Sequence, residues 1–271
     1  MKNALGSRFV ANLLLSTAFL SVAHGAGEGR EQIVPSAHPF AKAIVQIGQI
    51  GGNPLFVANG VVVGKDGCHV LTNYHVAFGK GRAQDGSVEM VDKVETGHVV
   101  EVGVDLNAST GKFGRTIKAR VVEFGNYKGD GSRGFIKNDL AMLKLDECLG
   151  KAYGLARFEM PDKSVKVPQT VLSTLNLTKT SAATTGLFYE AQCVAGATTP
   201  IAGLFAQSCV SIPGTSGSPV FRTEADGTYT VVGLSSGRFA TESHGEIAYA
   251  IYSSRLTPFV ESVLGSELVK P

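Results

Sequence analysis

Three short runs in this chain carry the residue types needed for nucleophilic chemistry at a carbonyl. Residues 213–221 read Pro-Gly-Thr-Ser-Gly-Ser-Pro-Val-Phe, residues 72–76 read Thr-Asn-Tyr-His-Val, and residues 138–145 read Asn-Asp-Leu-Ala-Met-Leu-Lys-Leu. A serine hydroxyl is a weak nucleophile until a neighbouring imidazole takes its proton. Ser216, between Gly214 and Gly217, suits a hydroxyl held on a tight turn. His75 suits the base that accepts the proton and returns it to the leaving group. Asp139 suits the carboxylate that binds the other imidazole nitrogen and stabilises the imidazolium. The oxyanion formed by attack needs preorganised N–H donors, and a residue without Cβ presents its N–H in conformations that others resist. Alone, each run passes as ordinary structure: a histidine at a strand end, an Asn-Asp turn, a glycine-rich loop. Together they read as one apparatus. The histidine follows a β-rich run (Val70 to Thr72), the aspartate precedes one (Leu140 to Leu145), and the serine precedes another (Val220, Phe221).

The order His75, Asp139, Ser216, with these three runs around it, resembles the chymotrypsin-like (trypsin-like) serine endopeptidases. The form Gly214-Thr215-Ser216-Gly217-Ser218-Pro219 is most similar to the serine loop of the bacterial glutamyl-endopeptidase branch. The resemblance covers about residues 40–265. It implies an all-β fold of two six-stranded antiparallel barrels with a C-terminal helix, and an acyl-enzyme route without cofactor or metal. It also implies a catalytic triad of His75, Asp139 and Ser216, and an oxyanion hole from the N–H groups of Gly214 and Ser216. The substrate would be a protein or peptide. An α/β-hydrolase elbow is disfavoured, because Ser218 stands where that motif has glycine and Pro219 begins extended chain rather than helix.

The same resemblance places a specificity pocket between Val210, Ser211 and Ile212 on one wall and Leu234, Ser235, Ser236 and Gly237 on the other, with Ser235 nearest the triad. Val210 stands where trypsin-type enzymes carry aspartate, and Ser235 where glutamyl endopeptidases carry histidine. The pocket therefore reads as neutral, with Ser211 as a polar contact, unless Glu246 brings a carboxylate that recruits a basic side chain. Thr215 replaces the aspartate that pairs with a freed N-terminus in trypsin-like zymogens, so activity is expected after signal removal alone. Whether Ala26 to Val34 forms a short propeptide stays open. Two alternatives accompany this reading. One is an HtrA-type periplasmic quality-control protease, although such proteins usually carry a C-terminal peptide-binding domain and about 50 residues follow Ser216 here. The other is a catalytically silent homologue serving as a protein-binding module, against which the intact triad and Gly214 speak.

The rest of the chain must position these residues. Residues 1–25 read as a signal peptide: Lys2 and Arg8 precede an apolar run from Phe9 to Val22 that falls short of the roughly 20 residues needed to span a bilayer. That implies an exported protein, secreted or periplasmic, without stable membrane association afterwards. Residues 26–155 are expected to form the barrel carrying His75 and Asp139, and residues 156–271 the barrel carrying Ser216. Alternating runs predict strands at Ile44–Ile50, Phe56–Val63, Val70–Thr72, Val99–Val104, Ile117–Phe124, Leu140–Leu145, Val171–Leu175, Thr185–Val194, Ile201–Val210, Val220–Arg222, Tyr229–Ser235 and Ile247–Tyr252. Gly64 to Gly67 and Asp226-Gly227 suit hairpin turns. Gly125 to Gly134 is a glycine-rich loop beside Asp139, and Glu147 to Pro168 reads as the crossing between barrels. Helical spacing of Leu256, Phe259, Val260, Val263 and Leu264 predicts a terminal helix with Thr257 as N-cap and Pro258 at the first position.

Net charge is +2 with 18% charged residues, and no dense basic patch or nucleic-acid motif occurs, so nucleic acid is not expected as a partner. A monomer is expected. Four cysteines in an exported chain allow three disulfide pairings. Strand placement favours Cys68–Cys148 in the first barrel and Cys193–Cys209 across a hairpin of the second. No Cys/His spacing fits zinc and no calcium loop appears.

Overall fold

A computed structural model of the 271-residue chain describes residues 29–48, 58–78, 80–82, 88–90, 96–125, 138–153, 171–181, 183–198, 203–225, 227, 229–241 and 245–265. In chain order the strands are β1 (Arg30–Ile33), β2 (Ile44–Gly48), β3 (Ala58–Val63) and β4 (His69–Thr72), followed by the short helix α1 (Tyr74–Phe78). Next come β5 (Lys80–Arg82), β6 (Val88–Met90), β7 (Val99–Asn107), β8 (Lys112–Phe124), β9 (Ala141–Leu145), β10 (Val171–Lys179), β11 (Thr185–Thr198) and β12 (Leu204–Gln207). The chain closes with β13 (Pro219–Thr223), β14 (Tyr229–Thr241), β15 (Gly245–Tyr252) and helix α2 (Ser253–Leu264).

These strands make two closed six-stranded antiparallel barrels. The first runs β2-β3-β4-β9-β8-β7, and β5–β6 form a separate two-stranded ribbon. The second runs β11-β10-β13-β14-β15-β12 and closes because β12 also pairs with β11. Period-two patterning explains the first barrel: Val100, Val102 and Val104 on β7 and Ile117, Ala119 and Val121 on β8 point inward between less buried neighbours. Strand β3 is buried on both faces. Val62 enters the first barrel, whereas Val61 joins Leu71 and Met142 in a core shared with Leu175, Leu177, Leu187 and Phe221 of the second. This shared core welds the barrels and holds the cleft residues in register.

The two disulfides join Cys68 to Cys148 and Cys193 to Cys209, the pairing favoured by strand placement. Strands run longer than the apolar runs suggested, notably β8, β10 and β14, because pairing continues through polar residues, solvent-facing on β8 and buried at Asn176 and Thr178 on β10. Among the described residues no helix is long and apolar enough to cross a membrane. Residues 1–25, most of the Gly125–Gly134 loop, most of the Glu147–Pro168 crossing and Asp226 lie outside the described residues.

Two expectations are corrected here. Residues 26–155 are expected in the first barrel, but β1 adds to β11 of the second, with Arg30 opposite Glu190 and Ile33 opposite Leu187. The Arg30 Nη2 donates to Asn176 Oδ1 at 3.0 Å and Thr178 Oγ1 at 2.8 Å, and the guanidinium lies 4.1 Å from the Phe188 ring centroid. Beyond it, His38 packs against the rings of Tyr189 and Tyr229, and Phe40 stacks on Phe221. Side-chain docking, not strand propensity, holds this segment in place. The terminal helix begins at Ser253 rather than Thr257, so Pro258 lies inside it. Burial of Leu256 in the shared core, one turn before Val260, draws the earlier residues into the helix. The missing N–H of the exposed Pro258 is tolerated there.

Candidate active site

Strand β4 ends at Thr72, paired with Ala141 of β9. That register brings the residues just after β4 beside those just before β9, where His75 and Asp139 stand. Asn73 begins the turn into α1, its carbonyl accepting from the N–H groups of Val76 and Ala77. Its side-chain amide donates to the Asp139 carbonyl at 2.9 Å. Tyr74 is buried and packs edge-on against Phe124. Burial first, and then the charge of Asp139, push the Tyr74 phenol above its usual range, so it stays neutral.

Asp139 is itself buried and uses both oxygens. Oδ1 accepts the backbone N–H of His75 at 3.0 Å, while Oδ2 lies 2.7 Å from His75 Nδ1. A carboxylate offers only acceptors, so this contact places the hydrogen on Nδ1 and leaves Nε2 as an acceptor. The Oδ2 atom also accepts the Ser236 hydroxyl at 2.5 Å.

Ser216 lies on the turn that leads into β13. Gly214 has φ +99° and Gly217 has φ +80°, both in the region that disfavours side chains. At Gly217 space forbids one as well: a Cβ would lie 1.8 Å from the Asn59 carbonyl oxygen. The Thr215 N–H and Oγ both bond to the Ile212 carbonyl, at 3.1 and 2.9 Å, closing a turn over Pro213-Gly214. Thr215 is buried there, where it satisfies itself locally. The Gly217 N–H donates to the Ser235 carbonyl and the Ser235 N–H to the Ser218 carbonyl, each at 2.8 Å, so β14 fastens the turn from the other side. Among the described residues, neither the Gly214 N–H nor the Ser216 N–H has a protein acceptor. The Ser216 Oγ donates to the Ser236 carbonyl at 3.1 Å.

The first barrel thus supplies His75 and Asp139 and the second Ser216 and Ser236, all linked by contacts across the junction. Ser235, expected nearest the triad, is corrected to Ser236. A β-bulge between Ser235 and Gly237 leaves Ser236 without a partner on β15, which reverses the strict alternation there. The Ser236 hydroxyl therefore reaches Asp139, while the Ser235 Oγ accepts from Gln207 Nε2 at 3.3 Å.

The segment leading into Val210 and Ser211 is stapled to β11 at three successive residues. Ser208 exchanges bonds with Val194 through its N–H and hydroxyl, Cys209 is joined to Cys193, and the Val210 N–H donates to Glu190 Oε2 at 2.9 Å. Glu190 is buried, and burial pushes its carboxyl up, against the opposing pull of the Val210 N–H and of Arg30. Gly237 follows the bulge on the opposite wall. Glu246 pairs with Ala240 on β15, and its side chain lies outside the described residues. Asp66, Cys68 and Cys148 bring three candidate ligand atoms within 4.8 Å of one another. Two of these are disulfide sulfurs, which offer no thiolate to a metal.

Sequence reasoning missed Glu190 and Asn59. Asn59 is the one polar residue of β3, and that break in pattern was the available signal, whereas Glu190 shares β11 with Gln192 and has no such mark. Asn59 is fully buried, and its side chain bonds to Leu177 and to the Gly214 carbonyl.

The geometry can be set beside known proteins. No curated protein matches the chain. The structure of Glu endopeptidase in complex with MPD has the same fold, with a TM-score of 0.59 over 88% of this chain and 98% of the other, at 18% identity. Residues 58–234 match the model of the trypsin-like peptidase domain. That span includes His75, Asp139 and Ser216, and covers well over half of the sequence. The chain belongs to the trypsin-like peptidase family.

Proposed function

We propose that this protein is an exported serine endopeptidase. In this reading Ser216 attacks the scissile carbonyl, His75 takes its proton through Nε2, and Asp139 holds the Nδ1 tautomer and stabilises the imidazolium. The His75 imidazolium then protonates the leaving amine, and water repeats the sequence on the acyl-enzyme. The N–H groups of Gly214 and Ser216 receive the oxyanion, a contribution worth about 3–4 kcal/mol per donor in related chemistry. Every group in this scheme comes from the chain, so no cofactor is called for.

The observation that carries the reading is the continuous linkage of the three residues: Ser216 Oγ to the Ser236 carbonyl, Ser236 Oγ to Asp139, and Asp139 to His75. Substrate binding would exchange the Ser216–Ser236 bond for one to His75 Nε2, since catalytic hydrogen bonds often tighten only in the complex. The substrate-binding walls are assigned to Val210, Ser211, Ser235, Ser236 and Gly237. They carry no side-chain charge, which favours a small or medium uncharged residue before the cut. Two disulfides suit an oxidising compartment, in keeping with export to the periplasm or medium.

A fluorophosphonate tests the assignment. Intact mass and peptide mapping should find one adduct, on Ser216, lost in both Ser216→Ala and His75→Ala. An adduct elsewhere, or one that survives in either variant, would contradict it.

A further inference from the structure

The nucleophile turn is held by one residue of the other barrel. Asn59 lies on β3 within an otherwise small and apolar strand, Ala-Asn-Gly-Val-Val-Val, and is 0% exposed. Burying an amide without partners is strongly unfavourable. Here the side chain is fully engaged. Its Oδ1 accepts the Leu177 N–H at 2.7 Å, and its Nδ2 donates to the Leu177 carbonyl at 3.2 Å and to the Gly214 carbonyl at 2.6 Å. The reciprocal bonds to Leu177 dictate which end of the amide is oxygen, because the Leu177 N–H requires an acceptor and the two carbonyls require donors.

The main chain of Asn59 acts on the same turn. Its N–H donates to the Ser216 carbonyl at 2.8 Å, and its carbonyl accepts the Thr72 hydroxyl at 2.7 Å. One residue therefore claims the carbonyl of Gly214 with its side chain and the carbonyl of Ser216 with its backbone. Among the described residues, the N–H groups of these same two residues have no protein acceptor. The carbonyl of Gly214 shares a peptide group with the Thr215 N–H, which Ile212 holds from the opposite side. The frame carrying both donors is thus fixed by a residue that touches neither N–H.

We propose that Asn59 is the positioning residue of the oxyanion site. Through it, the seating of the first barrel on β10 sets the geometry of the Gly214 and Ser216 donors. This rests on the reading of Ser216 as nucleophile and Gly214 as oxyanion donor. Asn59 acts through the turn, without touching substrate. Its loss should lower turnover at sites that are still formed, whereas a residue needed only for folding would reduce their number.

The test is hydrolysis of p-nitrophenyl acetate, in which the initial burst counts active sites and the steady state gives turnover per counted site. Asn59→Leu and Asn59→Asp both remove the Nδ2 donors, and the aspartate also sets an anionic oxygen against two carbonyls. Each should lose about 10²-fold in turnover per counted site, with KM changed by less than about threefold. Thr72→Val, which preserves shape and removes the bond to the Asn59 carbonyl, should lose about tenfold. Folded Asn59 variants with fewer counted sites of wild-type turnover would overturn the proposal. Should both Asn59 variants fail to fold, wild-type turnover in Thr72→Val would overturn it instead. Absence of a burst in the wild type, or a burst that survives Ser216→Ala, would contradict the Ser216 assignment and this proposal with it.

Discussion

Ser236 donates its hydroxyl to Asp139 Oδ2 at 2.5 Å while its carbonyl accepts the Ser216 hydroxyl. A residue of the second barrel therefore touches both ends of the proposed triad, and its reach depends on the β-bulge that frees it from β15. Removing a hydrogen bond to a charged group costs about 1.5–3 kcal/mol. Ser236→Ala should lower kcat about 10–100-fold and the thermal midpoint by several degrees, with the protein still folded. Steady-state kinetics beside a melting curve measure both, and unchanged kcat would show that Asp139 needs no support from the second barrel.

His38 makes the fold sensitive to acid. It is buried among Tyr189, Tyr229, Phe40 and Phe221, and burial pushes its pKa down to about 4 from the usual 6.5. The folded state favours the neutral ring, so this stability is fully present above pH 6.5 and is lost as pH falls toward 4. The loss should run at about 1.4 kcal/mol per pH unit, to a total of about 3 kcal/mol. Urea midpoints measured from pH 7 to pH 4 should fall more steeply for the wild type than for His38→Phe. Parallel curves would remove His38 as the cause.

The disulfides should differ in weight. Cys68–Cys148 closes a sequence separation of 80 and Cys193–Cys209 one of 16. Constraint of the unfolded chain then gives about 4.5 and 3 kcal/mol respectively. The smaller loss should nevertheless harm activity more, because Cys209 anchors the wall between Ser208 and Val210 to β11. Paired Cys→Ala variants, compared by denaturant midpoint and by kcat/KM, test the reversal of order.

Strand β1 belongs to the folded body, so a start beyond Pro35 should be damaging. Such a truncation removes the pairing with β11 and the Arg30 bonds to Asn176 and Thr178. It should lower the melting temperature by several degrees. Intact-mass analysis of active material should show a start at or before Arg30. An active form starting after Pro35, with an unchanged melting temperature, would mean that Ala26 to Val34 is dispensable.

What could be read from sequence divides along physical lines. The runs around His75, Asp139 and Ser216, which the fold brings to one junction, were legible because each is contiguous in sequence. Individual strands such as β7 and β8 followed from alternation, while the two-barrel arrangement came from the resemblance. The resemblance put Ser235 nearest the triad, and the bulge that brings Ser236 to Asp139 instead leaves no mark in the local sequence. Asn59 stayed hidden because its bonds reach residues 118 and 155 positions away, and no local pattern encodes such contacts. The same holds for Glu190, whose partner Val210 lies on another segment. At α2, Thr257-Pro258 imitates a helix start, and only the burial of Leu256 reveals an earlier one. Strand β1 was missed because Arg-Glu-Gln-Ile has no apolar alternation of its own.

The most direct test of the central claim is a peptide-library digest. The mature protein and its Ser216→Ala variant are incubated with the same diverse peptides, and products are sequenced by mass spectrometry. Internal cuts made by the wild type alone, following small or medium uncharged residues, are the expected result. No cut from the wild type, or the same cuts from both proteins, would contradict the assignment of this chain as a Ser216-dependent endopeptidase.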